Sequence, residues 1–191
     1  MTTQRMEAFS DGVMAIIITI MVLELRAPAE AQWQALTPLL PIFLSYILSF
    51  VFLGIYWNNH HHLLHAVDHV NGRVLWANLH LLFWLSLIPF TTAWIGENHF
   101  APQPLAAYGV VLFFASVAYY ILTRTLIALH GRDSTLSVAV GNDFKGKIST
   151  LIYLVAIPLA FLKWWLAFSL YVLVAIIWLA PDRRIERTLV Q

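Results

Sequence analysis

Six apolar runs, each near the ~20 residues a helix needs to cross hydrocarbon, divide this chain almost end to end. They extend from about Gln4 to Leu25, Leu36 to Trp57, Val74 to Ile95, Leu105 to Leu129, Ile148 to Leu162 and Trp165 to Ala180. The second helix can continue through the histidines after Trp57. Of the 191 residues, 60% are hydrophobic and only 11% charged. A water-soluble domain carries about twice that share of charge, so the pattern predicts an all-α, polytopic membrane protein. Residues 1–191 then form a single six-helix domain. Only Lys163 and Trp164 separate the last two runs, so these form an antiparallel hairpin.

Loop charge sets the expected orientation. With the N-terminus inside, Arg5, Arg73, Arg124, Arg132, Lys145, Lys147, Arg183, Arg184 and Arg187 fall on the cytoplasmic side, and only Arg26 and Lys163 outside. That bias places both termini in the cytoplasm. Glu7 and Asp11 interrupt the n-region a cleavable signal needs, so the first helix is read as retained. An integral membrane location is expected. The segment from His130 to Lys147 reads as a turn region. No cysteine is present, which excludes disulfides and thiolate metal sites. A formal net charge of +1 offers no basic face for nucleic acid. No Walker loop, nucleophile elbow or paired-carboxylate constellation appears, so the chain does not read as an enzyme, and no resident cofactor is implied.

The first run has an unusual beginning. Arg5, Ser10 and Asp11 stand directly before the apolar stretch from Gly12 to Leu23. That stretch covers only ~18 Å of a ~30 Å hydrocarbon core. Crossing therefore draws Ser10, Asp11 and Glu7 into the span, which suits the inside of an assembly or the wall of a water-filled path better than lipid. Ile16, Thr19 and Leu23 lie at i, i+3 and i+7 on one stripe, extended by Gly12. Two uses fit that stripe. It can pack against a helix of the same subunit, with Thr19 bonding back to the carbonyl of Ala15, or it can face an axis shared by several subunits. Periodicity does not separate them.

The motifs themselves carry a resemblance. Arg5-x-x-x-Phe9-Ser10-Asp11, then Tyr56-Trp57-x-x-His60-His61, then Leu75-Trp76-Ala77-Asn78-Leu79 leading to Leu87-Ile88-Pro89-Phe90-Thr91, resemble the transmembrane protein 175 family. That family comprises endosomal and lysosomal potassium channels and their prokaryotic relatives. The resemblance implies a homotetramer of single six-helix repeats in the bilayer of a prokaryotic inner membrane. It implies K+ as the permeant ion and a pore lined by the first helix, with a hydrophobic constriction in place of a carbonyl filter. By position, Ile16 is then the constriction, Thr19 the hydroxyl layer and Leu23 a second apolar ring. It also implies a hydrogen-bonded joint from Arg5, Phe9, Ser10, Asp11, Trp57, His61 and Asn78. Arg5 and Asp11, six residues apart, occupy different faces of a straight helix, so direct contact needs a kink or a second subunit.

His60, His61, His62, His65 and His69 also invite a metal reading, with His61, His65 and His69 on one stripe and Asp68 nearby. Without a closed ligand set, hydrogen bonding near the membrane interface is the simpler expectation, and no metal site is assigned. His80 suits a bond to a neighbouring helix. The competing function is a secondary transporter of metal ions or protons using Asp11 and the His60–His69 cluster. Against it stand the lack of an inverted repeat and of any helix expected to break at the midplane. Pro89 and Pro158 are expected to kink their helices.

Overall fold

In the computed structural model, which describes residues 3–131, 133–141 and 143–179, the apolar runs fold as helices and no strand forms among these residues. The α-helices are α1 (Thr3–Leu23), α2 (Leu40–His65), α3 (Gly72–Ser86), α4 (Ile88–Glu97), α5 (Pro102–His130), α6 (Thr135–Val140), α7 (Phe144–Leu162) and α8 (Trp164–Leu179). A 3-10 segment, Trp33–Leu39, leads into α2. As expected, α2 runs on through the histidines.

Five helical stretches among the described residues are long and apolar enough to cross a membrane: Thr3–Leu23, Trp33–His65, Gly72–Glu97, Pro102–His130 and Phe144–Leu162. The sixth, Trp164–Leu179, is apolar but shorter, ~24 Å at 1.5 Å per residue. Ala180, where the sixth run was expected to end, lies outside the described residues, as do Arg132, Arg183, Arg184 and Arg187.

Two expectations are corrected. The third span is broken: α3 stops at Ser86, Leu87 bridges with φ −87° and ψ −10°, and α4 restarts at Ile88. Pro89 is the cause, because it has no N–H and its ring crowds the carbonyl of Leu85. Just beyond the break, threonine hydroxyls bond back onto the carbonyls at the start of α4. Thr92 Oγ1 donates to the Ile88 carbonyl at 2.7 Å, and Thr91 Oγ1 lies 3.1 Å from the same oxygen and 3.2 Å from that of Leu87. Pro158, by contrast, sits inside α7 without ending it. The second correction concerns the expected turn region, which contains α6. Ser134 caps α6 by accepting from the Ser137 amide at 3.3 Å, and Asp143 caps α7 by accepting from the Gly146 amide at 3.1 Å. Gly131 (φ +93°) and Gly141 (φ +51°) supply the left-handed turns on either side.

The most extensive packing joins α5 to α7, α3 to α5, α7 to α8 and α2 to α4. Lys163 alone connects α7 to α8, giving the tight hairpin read from the sequence. Ala115, Ala118, Ala156, Ala160 and Ala167 are buried in this half. Small side chains let helix backbones approach closely where lipid offers no hydrophobic drive for association. Phe52, Tyr108, Tyr153 and Tyr171 form the aromatic centre, with Tyr108 and Tyr171 edge-on at 5.7 Å between ring centroids. The buried Ser49 hydroxyl ties α2 to α4 and α5 through Thr92 Oγ1 (2.6 Å) and the Tyr108 hydroxyl (2.9 Å).

Gly96 marks the closest approach of α4 to α2, since a Cβ there would stand 2.8 Å from the Ile42 Cα. Gly96→Ala should therefore destabilise the fold. Backbone displacement costs about 1–3 kcal/mol, offset by about 1 kcal/mol of helix propensity. Heating the purified variant in detergent and following its size-exclusion peak should reveal a lowered midpoint; an unchanged or raised midpoint would show that the two helices part freely.

Candidate functional site

Helix α1 packs against α2, α3 and α4. Its buried stripe is Met6, Ser10, Met14, Ile17 and Met21. About 200° around the helix lies the opposite stripe, Gly12, Ile16, Thr19 and Leu23. The single chain leaves that second stripe uncovered: Ile16 is 59% exposed and Leu23 76%. Thr19 is also exposed, and its hydroxyl donates to the carbonyl of Ile16 at 2.9 Å, one residue short of the Ala15 partner anticipated. The packing alternative raised by the periodicity is thus not what this subunit does with the stripe. Beside it, an open groove of about 730 Å³ between α1 and α4 runs from Ile16 and Ile20 past Phe90 to Glu24 and Glu97.

At the other end of α1, side chains from three helices make a polar cluster. His60 Nε2 donates to Asn78 Oδ1 at 2.8 Å, and Asn78 Nδ2 donates to Ser10 Oγ at 2.9 Å. The Ser10 hydroxyl in turn donates to the carbonyl of Met6 at 2.8 Å. This order fixes the His60 tautomer: with the Asn78 amide nitrogen turned to Ser10, its oxygen must accept, so the proton sits on Nε2. His60 Nδ1 is buried without a hydrogen-bond partner among the described residues. Alongside, the Trp57 indole N–H donates to Asp11 Oδ1 at 3.0 Å. One turn nearer the start of α1, His61 Nδ1 donates to Glu7 Oε1 at 2.8 Å. The rings of Trp57 and His61 stack at 6.1 Å.

Of the residues singled out from the sequence, Ser10, Asp11, Trp57, His61 and Asn78 come together here. Arg5 and Phe9 do not: both are exposed, and Arg5 forms no ion pair among the described residues. Two members, Glu7 and His60, stand outside the joint that the resemblance implied. Glu7 could have been found from spacing alone, since Glu7, Ser10 and Asp11 at i, i+3 and i+4 share one helical face. His69 is separated from the others and packs against His130 at 4.8 Å between ring centroids. The anticipated partner of His80 on another helix is also corrected. Its Nε2 accepts from the Trp84 indole at 3.0 Å, one turn along the same helix.

A bundle of apolar helices with a polar cluster at one end of a helix whose other face stands uncovered defines an integral membrane protein, and comparison with known proteins specifies its class. Residues 5–89 match the family model described as "Endosomal/lysosomal potassium channel TMEM175". A protein of Chryseobacterium sp. named as a potassium channel is 54% identical over 189 residues, covering 99% of this chain and 98% of that one. The crystal structure described as a lysosomal potassium-selective channel TMEM175 homolog, from Chamaesiphon minutus, superposes with a TM-score of 0.78 at 27% identity, covering 94% of this chain and 97% of that one. The chicken protein named endosomal/lysosomal proton channel TMEM175 is 28% identical over 70% of this chain, which spans 30% of its length. The chain belongs to the TMEM175 family of ion channels.

Proposed function

We propose that this chain is one subunit of a potassium-preferring cation channel, a homotetramer in a prokaryotic inner membrane with its termini in the cytoplasm. The observation that carries the reading is the uncovered stripe of α1. Ile16, Thr19 and Leu23 have no cover within the subunit, although the opposite stripe of the same helix is fully packed. Four such stripes around an axis make rings of isoleucine, threonine and leucine. Narrow apolar rings close a path by dewetting, and a hydroxyl ring replaces part of an ion's hydration shell. Potassium enters the reading through the names of the relatives from Chryseobacterium and Chamaesiphon. It is substrate, and no resident cofactor is called for.

The polar cluster supports this reading as the joint that orients α1. Ser10 and Asp11 are held from α3 and α2, so the stripe is aimed by side-chain bonds and by packing together. The test is flux. Purified protein reconstituted into potassium-loaded liposomes should release potassium at a rate proportional to the driving force, with single-channel openings in planar bilayers. Saturable, proton-coupled flux without openings would favour a carrier built on Asp11 and the histidines. A pH-sensitive dye in the same vesicles measures proton flux, the property in the name of the chicken relative.

A further inference from the structure

We propose that Glu7, His61 and His65 form a binding site for a divalent transition-metal ion such as Zn2+, joining α1 to α2. His61 and His65 stand one turn apart on α2 with ring centroids 4.3 Å apart. Both rings address one carboxylate oxygen of α1: Glu7 Oε1 is 2.8 Å from His61 Nδ1 and 3.8 Å from His65 Nε2. One ligand atom from each residue lies within 4.8 Å of the other two. Two imidazoles and a carboxylate are the donor set that zinc, cobalt, nickel and copper accept, and one that magnesium and calcium do not favour.

The dimensions are near those of a bound ion. Bonds of about 2.0–2.1 Å in tetrahedral geometry separate ligand atoms by roughly 3.3 Å. His61 and Glu7 are already closer than that, so a proton on His61 gives way to the ion. His65 has the remaining distance to close, and it is the side chain freest to move, being 55% exposed against 19% for Glu7. A set of three protein ligands leaves a position for water. His69, on the same sequence stripe, faces His130 instead, and His62 meets His61 edge-on with centroids 5.6 Å apart. Neither belongs to the site. The assignment goes beyond the channel reading and is read out by binding, so either can fail without the other.

The full chain, purified in detergent and stripped with a chelator, should be titrated with Co2+ by visible absorption and with Zn2+ by calorimetry. One ion per chain is expected, with the absorption of four-coordinate cobalt. His65→Ala and Glu7→Gln should each weaken binding by about tenfold or more, while His62→Ala and His69→Ala leave it unchanged. His65 lies on the exposed side, so His65→Ala keeps the test available even where Glu7→Gln fails to fold. Absence of uptake by the unaltered chain, or equal affinity in His65→Ala, would overturn the site.

Discussion

Asn78→Leu should lower the thermal midpoint of the purified protein more than any other single change in the polar cluster. The side chain is 2% exposed and spans two partners, donating to Ser10 on α1 and accepting from His60 on α2. Leucine fills the volume but does neither. Individual hydrogen bonds between membrane helices contribute about 0.6 kcal/mol on average and at most about 1.7, so losing both costs about 1–3 kcal/mol. The larger effect falls on His60. Its Nδ1 already lacks a partner, and without Asn78 its Nε2 would lack one too, leaving a fully buried imidazole with both nitrogens unsatisfied. An unpaired buried polar group adds about 1–3 kcal/mol. Trp57→Phe is the natural comparison, since it removes one bond at a half-exposed site and should cost about 0.5 kcal/mol. Size-exclusion profiles after heating measure both. Midpoints for the two variants within about 1 °C of each other would mean that the Ser10–Asn78–His60 chain does not hold α1.

The second large effect concerns conduction. In the proposed tetramer, Ile16→Asn would replace a ring of branched alkyl groups with a ring of amides that water wets readily. The dewetting barrier of the proposed constriction should then fall, and each ~1.4 kcal/mol removed from it raises the rate about tenfold. Planar-bilayer records should show larger or longer openings, with the reversal potential under opposed potassium and sodium gradients moving toward zero as discrimination weakens. Ile16 is 59% exposed in the subunit, so the substitution leaves the buried stripe of Met14 and Ile17 untouched. Unitary current and reversal potential equal to those of the unaltered chain would remove Ile16 from the narrow part of the path.

Much of this was legible in the sequence because hydrocarbon imposes a simple rule. Runs of about 20 apolar residues have few structural choices, and the helices at α1, α2, α5 and α7 fall where the runs do. The two faces of α1 follow from the same periodicity, although the sequence could not tell which face its own subunit covers. Other features depend on partners that composition does not name. The break at Leu87 follows from Pro89, and the hydroxyls of Thr91 and Thr92 bond back to the carbonyls of Leu87 and Ile88, partners that an apolar run does not reveal. The short α6 is set by the glycines on either side and by the Ser134 cap, local chemistry too brief to leave a periodic signal. Glu7 counted only toward the length of the first span, when its spacing to Ser10 and Asp11 already put it on the clustered face. The histidines were legible as a group, but only their three-dimensional neighbours divide them. His60 belongs to Asn78, His61 and His65 to Glu7, and His69 to His130.

The proposed pathway along α1 can be probed directly because the chain has no cysteine of its own. Thr19→Cys places one thiol on the uncovered stripe, and Ile18→Cys places one beside it on the partly buried side of the same helix. A cationic thiol-reactive reagent applied during potassium current recording should extinguish the Thr19→Cys current progressively and leave the Ile18→Cys current unchanged. A Thr19→Cys channel that mass spectrometry shows to be fully labelled, yet that still carries its full potassium current, would place the ion's route somewhere other than this face of α1.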